Sequence, residues 1–333
     1  MQSRQLGQAG PAVHPVGFGA MSFSNFYGPT NEAASHAILD RALEVGVNHI
    51  DTSNVYGQGE SEAVIGRYLK ANPAAKDFFK IATKGGITRK PDGTGNAFDN
   101  TAEHLQAELH KSLTRLGVEA VDLYYIHRRD QSIPIEEVTQ TLAGFVQAGK
   151  VKAIGFSEIA PTSLKRAHAV HPVSAVQSEY SLSTRAPELG LTQTCAELGV
   201  ALVAFSPVGR SLLTDTPLSF EVAQELPFLV KNPRFMQPHY AANIRATDAF
   251  RQLASDLGIS AAGLAIAWLL AQGEHIIPIP GTRCVTHLNQ LLEGAVRELS
   301  RDELKAIDRI LPVGWAHGDR YSPAQWDGPE RYC

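Results

Sequence analysis

The sequence predicts an α/β chain closed into a (β/α)8 barrel, with an N-terminal β-hairpin and long βα loops. Three observations carry this prediction. Eight short runs rich in Val, Ile, Phe and Ala recur along the chain, each followed by a segment of helical character. Seven of them are near-continuously apolar instead of alternating, as expected for parallel strands covered on both faces. The third is a missing pattern. An open dinucleotide-binding sheet places G-x-G-x-x-G at its first strand-to-helix turn, whereas Gly17-Phe18-Gly19-Ala20-Met21-Ser22 lacks the last glycine, and Gly57-Gln58-Gly59 is followed by Glu62 where that glycine belongs.

The apolar runs occupy residues 16–23, 47–51, 79–84, 121–127, 152–157, 175–180, 201–206 and 276–280. Between them, Asn31 caps a helix over 32–45 whose Ala34, Ile38, Leu39, Ala42 and Leu43 share one face before Gly46 ends it. Thr101 opens a second helix, with Glu103 in its first turn, Leu105, Leu109 and Leu113 in register, and Gly117 beyond its end. Pro134 starts a third, with Glu136 and Glu137 where carboxylates complement the positive helix end, and Gly149 follows it. Two stretches carry no period: residues 208–243, interrupted by Pro217, Pro227, Pro233 and Pro238, and the tail 312–333, rich in Gly, Pro, Trp and Tyr. A loop as long as the first is functional or mobile. Strand-helix units resume after it, so residues 1–333 read as one domain.

Composition narrows the function classes. The 333 residues are 44% hydrophobic and 19% charged, and 30 Lys plus Arg against 34 Asp plus Glu leave a net charge of −4 with no basic stripe. Nucleic acid is therefore not an expected partner. The first twenty residues contain no apolar signal core, and the longest apolar stretch, 259–270, is broken by Ser260 and Gly263 and is too short to span a bilayer. No membrane association is expected. Cys195, Cys284 and Cys333 are odd in number and far apart, which fits a reducing cytoplasm and neither a disulfide framework nor a zinc site. Without H-E-x-x-H or a Cys/His cluster, no metal is expected.

In such a barrel the chemistry sits at the C-terminal ends of the strands. Read in order, those ends offer Asp51 and Tyr56, Lys84, His127, Ser157 and Gln177. A phenol is a poor acid near neutral pH, with a pKa of about 10, but a nearby ammonium favours its ionised form. Lys84 can supply that charge, Asp51 can hold Lys84, and His127 can hydrogen-bond a substrate oxygen or relay its proton. Such a set suits protonation of an alkoxide as it forms from a carbonyl. It does not suit acyl transfer, because no Ser-His-Asp or Cys-His pair stands out. Each residue alone has a structural explanation, a turn-forming Asp or a solvated Lys; their arrival at successive strand ends is what favours function. Tyr124, Tyr125 and Tyr180 read as wall or core residues, and His104 and His110 as a solvated helix face.

The runs Asp51-Thr52-Ser53-Asn54-Val55-Tyr56-Gly57, Ile81-Ala82-Thr83-Lys84, Asp122-Leu123-Tyr124-Tyr125-Ile126-His127, Gly155-Phe156-Ser157, Phe205-Ser206-Pro207-Val208-Gly209-Arg210 and Ile279-Pro280-Gly281-Thr282 make the chain resemble the aldo-keto reductase superfamily over about residues 4–310. His127-Arg128-Arg129, Gly155-Phe156-Ser157-Glu158 and Gln177-Ser178-Glu179-Tyr180-Ser181 are most similar to its bacterial and plant branch of aldehyde and ketone reductases. The resemblance implies a TIM barrel, an extended NADPH held without a Rossmann fold, and a catalytic tetrad of Asp51, Tyr56, Lys84 and His127 with Tyr56 as general acid. It further implies that Ser157 and Gln177 hold the nicotinamide carboxamide and that Phe205 stacks on the ring. Ser206, Pro207, Val208 and Arg210 would follow the pyrophosphate, and Gly281, Thr282, Arg283 and His287 the adenosine end. Relatives often have Asn where this chain has Glu158, and Arg near His287.

Arg283, with Thr282 and a helix opening near Thr286, is the expected 2′-phosphate ligand, because a guanidinium fork and first-turn amides suit a phosphate. Met21, Phe23, Phe26, Tyr27 and Val55 are the expected apolar lining of a pocket for a small-molecule carbonyl substrate. The leading reading is an NADPH-dependent reductase, monomeric or weakly oligomeric. One alternative is a cofactor-sensing subunit resembling the potassium-channel beta subunits, which keep a similar tetrad. A lyase or isomerase on the same barrel is another, but the phosphate loops typical of those enzymes are not evident.

Overall fold

In a computed structural model of the chain, residues 3–8, 10–90, 92–93 and 95–332 are described; Cys333 lies outside the described residues. The chain begins with the antiparallel hairpin β1 (Arg4–Gln5) and β2 (Ala12–Val13). There follow β3 (Phe18–Gly19), α1 (Glu32–Val45), β4 (His49–Asp51), α2 (Glu60–Ala71), α3 (Ala75–Phe78) and β5 (Lys80–Gly85). A second antiparallel hairpin, β6 (Ile87–Arg89) and β7 (Asn96–Phe98), precedes α4 (Ala102–Leu116), β8 (Leu123–Ile126), α5 (Ile135–Gln147), β9 (Ile154–Ser157) and α6 (Pro161–Val170). The rest comprises β10 (Ala175–Glu179), α7 (Leu191–Leu198), β11 (Ala201–Phe205), α8 (Phe220–Glu225), α9 (His239–Asp256), α10 (Ala261–Leu270), β12 (Ile276–Pro278), α11 (Val285–Val296) and α12 (Arg301–Ile310).

Eight strands pair in parallel in the order β12-β11-β10-β9-β8-β5-β4-β3. Two hydrogen bonds join the ends of that order, from Gly17 N–H to Pro278 O (2.9 Å) and from Gly19 N–H to Pro280 O (3.0 Å), which closes the barrel. Closure leaves no open sheet edge. Inside, Ala82, Leu123, Tyr125, Ala175, Ala201, Val203 and Ile277 form one apolar cluster with Leu6 and Val13 of the first hairpin. That hairpin plugs the N-terminal end, where Arg4 also donates to Gly273 O (2.8 Å) and Leu270 O (2.7 Å). The outward strand residues pack under the helices as a larger core that includes Ile50, Ile81, Tyr124, Phe156, Val176 and Leu202.

The helix ends follow the sequence signals. The Asn31 side chain accepts from Ala34 N–H and Thr101 from His104 N–H, while Gly46 (φ 84°) and Gly117 (φ 65°) end α1 and α4 in the left-handed conformation. The apolar stretch at 259–270 is α10, a core helix, and among the described residues no single helix is long and apolar enough to cross a membrane. It crosses α11 very closely: a Cβ on Gly294 would lie 2.4 Å from Gly263 O. This contact sets where the start of α11 meets the barrel mouth.

Three expectations change. Residues 208–243 are not structureless: they hold α8, short 3₁₀ turns at Gly209–Ser211 and Pro233–Phe235, and the start of α9. Leu212, Ala223, Leu226, Leu229, Phe235 and Tyr240 give this segment its own small core. Its prolines cut it into pieces too short to show a period. The first barrel strand is shorter than the run at 16–23, because Ala20–Ser24 turns into a 3₁₀ helix. Helix α11 has Cys284 as its N-cap, so Thr286 lies inside the first turn and does not open it.

Candidate active site

The register of the barrel brings the polar strand ends together. Ile50 is opposite Ile81, Asp51 opposite Ala82 and Lys84 opposite Tyr125, so Asp51, Lys84 and His127 emerge on three adjacent strands at one end. Lys84, fully buried, forms an ion pair with Asp51 and donates to Thr52 O (2.8 Å) and to the Tyr56 hydroxyl (3.3 Å). The other Asp51 oxygen accepts from Gln177 Nε2 (2.7 Å). Ser53 Oγ and His127 Nδ1 lie 3.1 Å apart, and the His127 and Tyr56 rings meet edge to face at 5.8 Å. Asp51, Tyr56 and His127 face a cleft of ≈ 1470 Å³, with Lys84 behind them.

Burial dominates the electrostatics here. It pushes the Tyr56 phenol well above its ordinary range; Asp51 adds to this and Arg128 opposes it. The sequence led us to expect that Lys84 would lower this phenol; burial raises it instead, and the cation that opposes the rise is Arg128. Burial, Arg128 and Lys84 together hold the His127 imidazole well below its usual pKa, so it is neutral at physiological pH. Burial also lowers the Lys84 ammonium, against the pull of Asp51.

One arm of the cleft runs from Ser157 and Gln177 past Phe205, Ser206, Pro207, Val208 and Arg210 to Gly281, Thr282, Arg283 and His287. Ser206 (φ 51°), Arg210 (φ 53°) and Ser211 (φ 86°) are left-handed non-glycine residues, and successive turns of this kind aim backbone amides into a concavity that suits anions. At the far end, the first turn of α11 has no side-chain cap, so its N–H groups are open to an anion. Arg283 is exposed beside it and donates to Pro29 O (3.2 Å).

The Arg210 guanidinium does not extend along this arm. It is buried in a two-point contact with Glu179 (3.0 and 2.7 Å), a partner 31 residues away that no local pattern reveals. Glu158 also differs from expectation. At φ 57° it turns back to accept from Glu179 N–H (2.8 Å) and Ser178 Oγ (3.2 Å) and pairs with Arg320 of the tail. Glu330 then accepts from Arg129 (2.6 Å) and from Ala160 N–H (2.8 Å), so the tail is strapped across the cleft.

The same cleft is also lined by Met21, Phe26, Tyr27, Val55, Phe98 and Trp326 among others. Phe23 is not part of it. The 3₁₀ turn rotates Phe23 into the core, where it is 3% exposed and packs on Phe18 at 5.2 Å. The sequence reading missed Ser53, Phe98, Phe228, Tyr321, Trp326 and Arg128. Phe228, Tyr321 and Trp326 come from the aperiodic segments and Phe98 from the β6–β7 hairpin, whereas Arg128 is adjacent to His127 in the sequence and lines the cleft. Among the described residues, no three His, Cys, Asp or Glu side chains gather as a metal-binding group.

Residues 15–312 match the Aldo/keto reductase family. The chain is 36% identical over 324 residues to the aldo-keto reductase yakc [NADP(+)] of Schizosaccharomyces pombe, covering 96% of this chain and 94% of that protein. It is 37% identical over 324 residues to “Probable aldo-keto reductase 1” of Glycine max, covering 96% and 92%. Among solved structures, a glycerol dehydrogenase from Gluconobacter oxydans superposes with a TM-score of 0.81 at 26% identity, covering 96% of this chain and 97% of that one. A thermostable aldo-keto reductase solved with the inhibitor epalrestat gives 0.73 at 27% identity, covering 93% and 100%.

Proposed function

The chain belongs to the aldo/keto reductase family, and on that premise we propose that it uses NADPH to reduce an aldehyde or ketone to an alcohol, with Tyr56 delivering the proton. The observation that carries this reading is the convergence of Asp51, Tyr56, Lys84 and His127 at one cleft. The cofactor arm offers donors that suit NADPH: Ser157 and Gln177 for the carboxamide, Phe205 for the ring, the turn 206–211 for the pyrophosphate, and Thr282, Arg283, His287 and the open turn of α11 for the 2′-phosphate and adenosine. Bound there, the reduced nicotinamide supplies a hydride.

The chain's own residues manage the proton. Tyr56, with its pKa raised, keeps its proton at neutral pH and is a donor throughout that range. An alkoxide is a far stronger base than a phenolate, so the transfer is downhill even from a reluctant phenol. The phenolate left behind accepts the hydrogen bond from Lys84, and that bond strengthens as charge develops. Asp51 and Thr52 O hold Lys84 in place for this step. If Ser53 Oγ donates to His127 Nδ1, the neutral ring presents Nε2–H to the carbonyl oxygen. Met21, Phe26, Tyr27 and Val55 line the same cleft for the substrate. The same reading places the protein in the cytoplasm as a monomer or weak homo-oligomer.

A panel of aldehydes and ketones with NADPH, followed through nicotinamide absorbance, tests this. Turnover of at least one class is the expected result. Tight NADPH binding with no turnover across the panel would replace the reductase with the cofactor-sensing alternative.

A further inference from the structure

Several arginines near the cleft are paired within the protein, whereas Arg128, Arg283 and Arg331 of its lining show no ion pair among the described residues. Arg210 is held by Glu179, Arg320 by Glu158 and Arg129 by Glu330, while Arg234 donates to Thr184 Oγ1 (2.7 Å) with Glu179 3.8 Å away. Of the three without an ion pair, Arg128 is the one bonded to a tetrad residue. Its NH1 donates to His127 O (2.6 Å) and Ser157 Oγ (2.9 Å), which ties it to a tetrad residue and to a cofactor-arm residue. Among the described residues no carboxylate lies within ion-pair distance of it, and the half-buried side chain lines the cleft.

The side chain is fixed from both ends. Asn100 donates to Arg128 O (3.2 Å), and the tail turns at Gly328 (φ 106°) so tightly that a Cβ there would lie 3.3 Å from Arg128 Cβ and 2.7 Å from the Phe98 ring. The charge is felt at the reacting groups, because Arg128 opposes ionisation of the His127 ring and favours that of the Tyr56 phenol. Besides Arg128, the charged lining of the cleft comprises Lys90, Arg210, Arg283 and Arg331 against Asp51, Asp215 and Asp327. Glu158 acts on Arg128 only through space and is itself paired with Arg320, so this partly buried guanidinium lacks a direct counter-ion and gains when an anion completes it. Its planar fork matches a carboxylate at two points.

We propose that Arg128 is a substrate anchor and that the favoured substrates are 2-oxo acids, whose carboxylate sits on the carbon next to the reacting carbonyl. The placement follows from the contacts: Arg128 NH1 bridges His127 O and Ser157 Oγ, and Arg128 and His127 line the same cleft. This rests on the carbonyl-reductase reading above. The carbonyl carbon gains the hydride from NADPH and its oxygen gains the Tyr56 proton, giving a 2-hydroxy acid and NADP+ with the carboxylate unchanged.

The test compares phenylglyoxylate with its methyl ester, which keeps the activated carbonyl and removes the charge. The wild type should prefer the acid by at least tenfold in kcat/KM. Arg128→Gln should lower the acid-to-ester ratio at least thirtyfold, and Arg128→Lys, which keeps the charge without the fork, should fall between. The ratio is the readout because a loosened Ser157 or His127 slows both substrates equally. A ratio unchanged in Arg128→Gln, or a wild type that prefers the ester, overturns the anchor. If neither compound is reduced, the carbonyl-reductase reading is decided by the wider panel above, and the anchor is read by phenylglyoxylate quenching of bound NADPH fluorescence. Weaker binding in Arg128→Gln supports it, and equal affinity overturns it.

Discussion

Glu179→Gln should destabilise the protein by about 3 kcal/mol at neutral pH, and the deficit should shrink in acid. The carboxylate ends β10, fully buried, with Arg210 on both oxygens (3.0 and 2.7 Å), Thr184 Oγ1 at 3.0 Å, and Arg320 and Arg234 at 3.6 and 3.8 Å. Burial pushes its pKa up, but Arg210, Arg320 and Arg234 overcome this and hold it at about 2, against an ordinary value of 4.5. At roughly 1.4 kcal/mol per unit this difference is worth about 3 kcal/mol. It agrees with the roughly 3–5 kcal/mol lost when one partner of a buried pair is removed. Because the folded-state pKa is depressed, the stabilisation is complete above the ordinary carboxylate range and is lost as pH falls from 4.5 toward about 2. Urea unfolding of both proteins should show the full gap at about pH 7 and less than half of it at about pH 3. Arg210 also shapes the left-handed turn of the cofactor arm, so the variant should bind NADPH about fivefold more weakly. A gap below about 1 kcal/mol, or one that does not change between these pH values, would refute this account of the network.

Lys84→Met removes the cation that faces both Asp51 and the Tyr56 oxygen, and should lower kcat by about 10²-fold or more, with an altered pH dependence of the residual rate measured in steady-state assays. Arg283→Ala should raise KM for NADPH at least tenfold, about 1.4 kcal/mol, while KM for NADH stays nearly constant; equal effects on both cofactors would show that Arg283 does not hold the 2′-phosphate. Exhaustive chelation and dialysis should leave turnover intact. A loss that zinc or magnesium restores would contradict the tetrad mechanism.

The strand ends were legible because a parallel barrel leaves little freedom: once Asp51, Lys84 and His127 end successive apolar runs, register brings them to one mouth. Tyr56 followed from its short spacing after Asp51. Long-range partners were not legible. Glu158 looked like a residue beside the cofactor until its left-handed backbone and Arg320, 162 residues away, turned it into a tail anchor. Arg210 was expected along the pyrophosphate, but its guanidinium is held by Glu179. Phe23 failed for a local reason, since a 3₁₀ turn changes which face a residue presents compared with a strand. The elements within 208–243 and the tail are too short for a hydrophobic period, and the tail is held by individual ion pairs. The Tyr56 pKa depends on burial, which a sequence does not display.

Tyr56→Phe most directly tests the claim that this phenol delivers the proton. The substitution keeps the ring against His127 and removes only the hydroxyl that Lys84 addresses. Carbonyl reduction should fall by about 10²-fold or more in kcat while the NADPH dissociation constant, measured by fluorescence titration, stays within a few-fold. A variant that keeps more than about a tenth of wild-type kcat, with the same cofactor affinity, would contradict the assignment of Tyr56 as the proton donor.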